Sequence, residues 1–443
     1  MESKTAASPQ SSPLPGARLS LILLLTINLL NYIDRFVLSA VEPKIRADFG
    51  ITRTQSGYLP FVFIISYMVC APFFGWLADR ASRWLIVGFS VLLWSAATAA
   101  SGLAGLHVAP SHHWWSSIWV FVTGFGVAPF VVLLVTRMFV GVGEGGYGPA
   151  APTIISDLYP VARRGAVLAW FYVAIPVGGA LGYVIGTSVG AAWGWRWAFW
   201  VVTIPGIILG IWTFLMKDPP RGTADMGHAI RGIPKLADYT HLMKIRSYLL
   251  NTLAMAAMAF STGGMSYWMP DYLEGTRHLG DSAGYNFGVI TAVAGLGATI
   301  LGGLLGDKLR NRFGGSYFLV SGVSIMLAAP FMIAMLYVPF PCAWGMLFAS
   351  IFFLFFNTGP ANTALANVVS PSVRASAFAI NIFVLHAVGD APAPSILGRI
   401  HDHFNAWNPA FFAVAASMVI AGGLWLAGAP HLKADTDAVA NAA

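Results

Sequence analysis

The sequence predicts an all-α membrane protein, with twelve transmembrane helices arranged as two pseudo-symmetric halves of six. Three observations carry this: apolar runs recur along nearly the whole chain, basic residues gather on alternate sides of those runs, and the two halves repeat each other's loop motifs. Of 443 residues, 57% are apolar and only 10% charged, and the mean hydropathy is +0.70. A soluble chain of this length needs far more charge to cover its surface. Crossing about 30 Å of hydrocarbon takes roughly 20 mainly apolar residues. The runs must be helices, because an open sheet cannot hide its edges in lipid.

The first six runs are 18–41, 56–78, 84–106, 129–156, 163–189 and 197–217. The first follows a Ser-, Pro- and Ala-rich tail, 1–17, expected to be disordered. It contains Asp34 and ends without a small-residue cleavage site, so it reads as a span rather than a removed signal peptide. The second six are 246–273, 284–306, 315–338, 343–369, 373–400 and 408–428. The longest polar connection, with Pro219 and Pro220, divides an N-terminal half, 18–217, from a C-terminal half, 246–430, through a linker at 218–245; a tail, 431–443, follows. The segment 108–128, with Trp114, Trp115 and Trp119, reads as a helix extension or an interfacial segment. Counting it as a span would invert the charge pattern after it. Cys70 and Cys342 lie in separate apolar stretches and are expected to be buried thiols packing as small hydrophobes.

The net charge of +7 is not a nucleic-acid signal; its placement matters more than its sum. With the N-terminus inside, Arg35 and Arg137 fall within spans and Lys44, Arg46, Arg53, Arg196, Arg277 and Arg399 lie on the far side. The other 17 of the 25 Lys and Arg are then cytoplasmic. This is the asymmetry that sets the orientation of membrane helices, and it puts both termini in the cytoplasm. The compact loops point to a bacterial inner (plasma) membrane.

The halves echo one another. Gly75, Leu77, Ala78, Asp79, Arg80 and Arg83 follow the second run, and Gly303, Leu304, Gly306, Asp307, Lys308 and Arg310 follow the eighth. Pro160 and Arg163 recur as Pro371 and Arg374. Repeats of this sense, related by an axis along the membrane normal, build one large class of transporters.

The loop from Gly75 to Arg83 resembles the signature loop of the major facilitator superfamily, and Trp195, Arg196, Trp197 and Phe199 resemble its turn between the fifth and sixth helices. The likeness extends from about residue 18 to 430. Five further blocks resemble the Spinster branch: residues 31–36; Arg137, Gly141, Gly143 and Glu144; residues 151–158; Phe171, Tyr172, Pro176, Gly178 and Tyr183; and His386, Gly389, Asp390 and Pro394. The segment 108–128 departs from the branch as an insertion. The resemblance implies the major facilitator fold and transport by alternating access. Spinster relatives are associated with lysophospholipids and sphingoid phosphates, so it also implies a small amphiphilic or anionic substrate.

In the signature loop, Gly75 permits close helix approach. Asp79 can sit at a neighbouring helix N-terminus, where the dipole favours an anion, and Arg80 and Arg83 can reach Asp157. Such a cytoplasmic gate would latch the two halves in an outward-facing state; the plainer alternative is that the arginines mark the inner face. Ionisable residues at membrane depth are costly and face a cavity or a partner. Asp34 and Arg35 are adjacent, so a helix points them about 100° apart, whereas Arg137 and Glu144 lie two turns apart on one face. Asp34 can then meet Arg137 and exchange protons, with Glu144 a second carboxylate on the route. A static ion-pair network is the competing reading.

Asn31, Tyr32 and Arg35 in the first half and His386, Asp390 and Asn381 in the second are candidates for a substrate cavity. His386 and Asp390, four apart, share a face. Asn357 and Asn362 are polar candidates too, with helix–helix hydrogen bonding the simpler role, and Met255, Met258, Met265, Phe260 and Trp268 are expected to line an apolar surface. No metal-ligand spacing, cofactor motif or nucleophile–base pattern occurs, so an enzyme is not expected. The expected function is proton-coupled secondary transport of an amphiphilic or organic-anion solute, with membrane lipid and protons as the other partners. An exporter of drug-like hydrophobic compounds is the alternative. An intramembrane aspartyl protease using Asp34 and Asp390, or a non-transporting sensor, are the rivals from other classes.

Overall fold

The computed structural model describes residues 13–78, 80–106, 128–220, 242–280, 282–310, 312–369 and 374–442. Among the described residues six helices precede the linker: α1 (Ala17–Phe49), α2 (Arg53–Ala78), α3 (Arg83–Leu103), α4 (Pro129–Leu158), α5 (Val161–Ala192) and α6 (Trp195–Thr213). Eight follow it: α7 (Arg246–Asp271), α8 (Ser282–Arg310), α9 (Ser316–Tyr337), α10 (Cys342–Phe355), α11 (Thr358–Asn367), α12 (Arg374–Val384), α13 (Ala393–Phe404) and α14 (Trp407–Ala442). Helices α10 and α11 share one span, and α12 and α13 share another through a π-helical stretch at Leu385–Asp390. A second π turn, Tyr272–Thr276, closes α7. Twelve spans result among the described residues, as the apolar runs predict. Eleven stretches are long and apolar enough to cross a membrane, α7 not being among them.

The chain divides into two compact units, residues 1–50 with 62–230 and residues 51–61 with 231–443. The first turns of α2 group with the second unit. The reason is local chemistry. In the second unit Arg53 N and Thr54 N donate to the Asp402 carboxylate at 3.3 and 2.8 Å, and Arg53 Nε reaches Asp271 at 2.9 Å. The Tyr267 hydroxyl donates to Ser56 O at 2.9 Å.

Three expectations need correction or narrowing. Neither cysteine is buried: Cys70 is half-buried and Cys342, at the start of α10, is exposed. The C-terminal tail is helical, with α14 running to Ala442. Asp435 on that extension accepts from Ser247 N and Oγ at 3.0 and 2.5 Å, so it caps α7. Of the apolar set, Met255, Met265 and Trp268 are buried packing residues, while Met258 and Phe260 are half-buried. Nearly all of the 108–128 segment, most of the linker, residues 1–12, Asp79 and Pro371 lie outside the described residues.

Candidate functional site

Four ionisable residues of the first unit, Asp34, Arg35, Arg137 and Glu144, lie where α1 and α4 meet, with α3 alongside. Helix α1 carries Asn31, Asp34 and Arg35 at mid-length, and α4 carries Arg137 and Glu144. Glycines make the approach possible. A Cβ on Gly143 would stand 2.8 Å from Trp94 N of α3, and one on Gly141 would collide with the Phe63 carbonyl of α2.

Two crossed ion pairs join α1 to α4. Arg137 Nη1 stands 3.9 Å from Asp34 Oδ1, with both side chains buried. Arg35 Nε and Nη2 both reach Glu144 Oε2 at 2.6 Å. The residues adjacent in α1 thus take partners two turns apart in α4, as a 100° step and a seven-residue spacing require. The pairs differ in quality. One oxygen of each carboxylate, Asp34 Oδ1 and Glu144 Oε1, has no hydrogen-bond donor, while Thr98 Oγ1 donates to Asp34 Oδ2 at 2.6 Å. Arg137 Nη2 donates to Ser101 Oγ at 2.8 Å and Ser101 Oγ to Thr136 Oγ1 at 2.8 Å, so a hydroxyl chain from α3 and α4 lies beside the carboxylate. The Arg35 guanidinium is ringed by Tyr32, Phe63 and Tyr67, centroids 5.0, 5.1 and 5.4 Å away. Cation–π contact of this kind strengthens when the site is dry.

Sequence reasoning missed Thr98, Ser101, Thr136 and Tyr67. Small hydroxyl residues are common in membrane helices, so nothing in their spacing marked them. It also missed Glu42, a fully buried carboxylate of α1 that pairs with Arg46 Nε at 3.1 Å, i to i+4. That spacing was readable.

At the other end of α4, Arg83 Nη1 meets Asp157 Oδ2 at 2.5 Å and Nη2 donates to Pro219 O at 2.8 Å. At the N-terminus of α3, Ser82 Oγ accepts from Leu85 N at 3.4 Å and Asp218 completes the cap, accepting from Arg83 N and Trp84 N at 3.0 and 3.2 Å. This is the role that sequence reasoning assigned to Asp79, which lies outside the described residues. Arg80, expected to reach Asp157, turns back over the Trp76 ring at 4.4 Å and donates to Trp76 O at 3.1 Å. A Cβ on Gly75 would meet Pro149 Cβ at an ordinary 3.8 Å, so this glycine is not required by a close helix approach. The described part of the expected gate therefore ties elements of the first unit to one another.

In the second unit, His386 Nδ1 lies 3.0 Å from each Asp390 oxygen, both side chains about one-fifth exposed. Asn381 is buried, with Nδ2 3.6 Å from Met255 Sδ. Asn357 and Asn362 bond within their own helix segments, to Leu354 O and Thr358 O. Asp307, the repeat counterpart of Asp79, accepts from the Tyr317 hydroxyl at 2.8 Å. Among the described residues no cluster of His, Cys, Asp and Glu could hold a metal ion.

A bundle of apolar helices in two units, with charged residues paired inside it, defines an integral membrane protein of the transporter class. The sequence profile of the Major Facilitator Superfamily matches residues 24–394. Protein spinster homolog 3 of Danio rerio is 35% identical over 422 residues, 91% of this chain and 80% of that one. Protein spinster homolog 1 of Homo sapiens is 34% identical over 429 residues, 90% of this chain and 76% of that one. A crystal structure of a bacterial homolog to the human lysosomal transporter Spinster, in an inward-facing and unoccupied conformation, superposes with a TM-score of 0.74 at 22% identity. It covers 97% of this chain and 99% of that one. A D-xylose–proton symporter superposes at 0.73 with 16% identity, covering 94% and 99%. The chain belongs to the major facilitator superfamily and, within it, to the Spinster family of transporters; it is not an enzyme.

Proposed function

We propose that this transporter moves an amphiphilic, lipid-like anion by alternating access, coupled to protons through Asp34, with both termini in the cytoplasm and the helices in a plasma (inner) membrane. The contrast between the two ion pairs carries the reading. Opposite charges 4 Å apart attract by about 4 kcal/mol at an effective dielectric near 20. At 3.9 Å, Arg137 supplies that attraction while leaving Asp34 Oδ1 without a donor, so the oxygen has room for a proton. Neutralising Asp34 removes one of the two ion pairs between α1 and α4, which biases one helix arrangement over another. Glu144, held at 2.6 Å by Arg35, acts as the structural anchor of the pair. Asn31, Tyr32 and Arg35 offer polar contacts to the substrate, and Arg35, with its side chain 24% exposed, is the cation best placed for an anionic group. The kinship with Spinster proteins supports a lipid-like substrate, and the basic-residue asymmetry supports the orientation.

Reconstitution into liposomes tests this. Lysophospholipids should raise the thermal midpoint of the purified protein, and an imposed pH gradient should drive their uptake. Stabilisation by drug-like hydrophobic compounds and not by lysophospholipids would favour the exporter alternative. Binding without uptake would make the protein a sensor.

A further inference from the structure

The π-helical stretch Leu385–Asp390 has a local cause. Pro392 and Pro394 bring no N–H, so carbonyls one turn earlier lose their usual donors, and the backbone widens until Ala391 N bonds His386 O at 3.1 Å, an i to i+5 link. Gly389 and Gly263 let the widened turn lie on α7, where a Cβ on Gly389 would stand 2.5 Å from Ala256 O and one on Gly263 2.7 Å from Asp390 Cβ. Turns of this kind concentrate at functional sites. Within it two titratable side chains four residues apart, His386 and Asp390, are in contact, and both are partly exposed. Ionisable groups within a span face water or the bundle interior rather than lipid.

We propose that the His386–Asp390 pair is a second proton site of the chain, and that its protonation admits the anionic headgroup of a single-chain amphiphile. The proposal rests on the substrate class given above, but not on Asp34. With Nδ1–H donated to an ionised Asp390, the proton taken from water enters at Nε2. The pair then changes from a net charge of −1 to 0. In the first state it repels an anionic headgroup; in the second the imidazolium donates to it while Asp390 balances the charge. Histidine is the side chain whose charge changes between about pH 5 and 8.

Among the described residues few other charges compete. The π stretch packs on α7, α12 and α13. Helix α7 carries no Asp, Glu, Lys, Arg or His between Arg246 and Asp271. Its Tyr248 and Tyr267 hydroxyls already donate to Ala377 O and Ser56 O. Helix α12 has only Arg374, at its first residue. On α13, Asp402 accepts from Arg53 and Thr54 and His401 packs on the Trp407 ring, while Arg399 and His403 are exposed further along the helix.

Binding to the purified full chain tests the proposal, with lysophosphatidylglycerol as the probe because its single negative charge is constant from pH 6 to 8. Monoacylglycerol is the uncharged control, and intrinsic tryptophan fluorescence gives the readout. Lysophosphatidylglycerol affinity should rise by about tenfold from pH 8 to pH 6, within the usual range of coupling between two sites, and that of monoacylglycerol should not change. His386→Gln keeps the pair anionic and should bind weakly at both pH values. Asp390→Asn should move the other way, binding tightly at pH 8 as well, which a folding defect cannot mimic. Asp34→Asn should keep the pH dependence. Retention of that dependence in His386→Gln, or its loss in Asp34→Asn, overturns the proposal. A flat profile with tight binding in the unaltered chain overturns it alone, whereas failure of every amphiphile to bind overturns the substrate class with it.

Discussion

Arg137 and Asp34 stand 3.9 Å apart inside the first unit, while their counterparts Glu144 and Arg35 close to 2.6 Å. Each pair has one carboxylate oxygen without a donor, Asp34 Oδ1 and Glu144 Oε1; the looser pair has a hydroxyl chain beside it, and in the tighter one Arg35, 24% exposed, is ringed by aromatic side chains. On the proposed reading the Asp34–Arg137 pair changes and the Glu144–Arg35 pair holds, and the predictions separate these roles.

Glu144→Gln removes the anion from Arg35. Breaking a buried pair by deleting one partner costs about 3 kcal/mol, somewhat less here because Arg35 is 24% exposed. The thermal midpoint in detergent should fall clearly, and the fall should exceed that of Asp34→Asn, because the Asp34–Arg137 pair is longer, at 3.9 Å against 2.6 Å, and Arg137 keeps its hydrogen bond to Ser101 Oγ.

Asp157→Asn and Asp218→Ala probe the other end of α3. Asp157 balances a buried Arg83, so its loss should destabilise strongly. Asp218 is an exposed cap, worth about 1 kcal/mol. Thermal unfolding should rank Asp157→Asn as the more harmful; the reverse order would make Asp218 the principal support of α3.

The orientation is testable apart from the site. A reporter fused at position 230 should be cytoplasmic and one fused after Val108 periplasmic. A cytoplasmic signal after Val108 would contradict the topology.

The spans were legible because lipid demands long apolar runs whatever the packing, and apart from the far ends of α1 and α14 the run boundaries fall within a few residues of the helices. The ends were less so. Helix α1 continues to Phe49 through Pro43, Lys44 and Arg46, which read as loop chemistry. The meeting of Asp34 with Arg137 was readable as a possibility, since both are charges at mid-span. That Glu144 serves Arg35 was not, because shared facing on α4 does not say which neighbour it meets. The grouping of Arg53 and Thr54 with Asp271 and Asp402 depends on contacts more than 200 residues apart in sequence, beyond any local pattern. Asp218 was hidden by its place beside the linker prolines, where a charge reads as a solvated loop.

Transport driven by an imposed pH gradient in proteoliposomes, compared between the unaltered chain and Asp34→Asn, tests the central claim most directly. Asp34→Asn mimics a permanently protonated carboxylate. The account predicts that it binds the amphiphile, exchanges it down its own gradient, and shows no accumulation in response to the proton gradient. Accumulation by Asp34→Asn with an undiminished response to that gradient would contradict the account and move the coupling proton to another group.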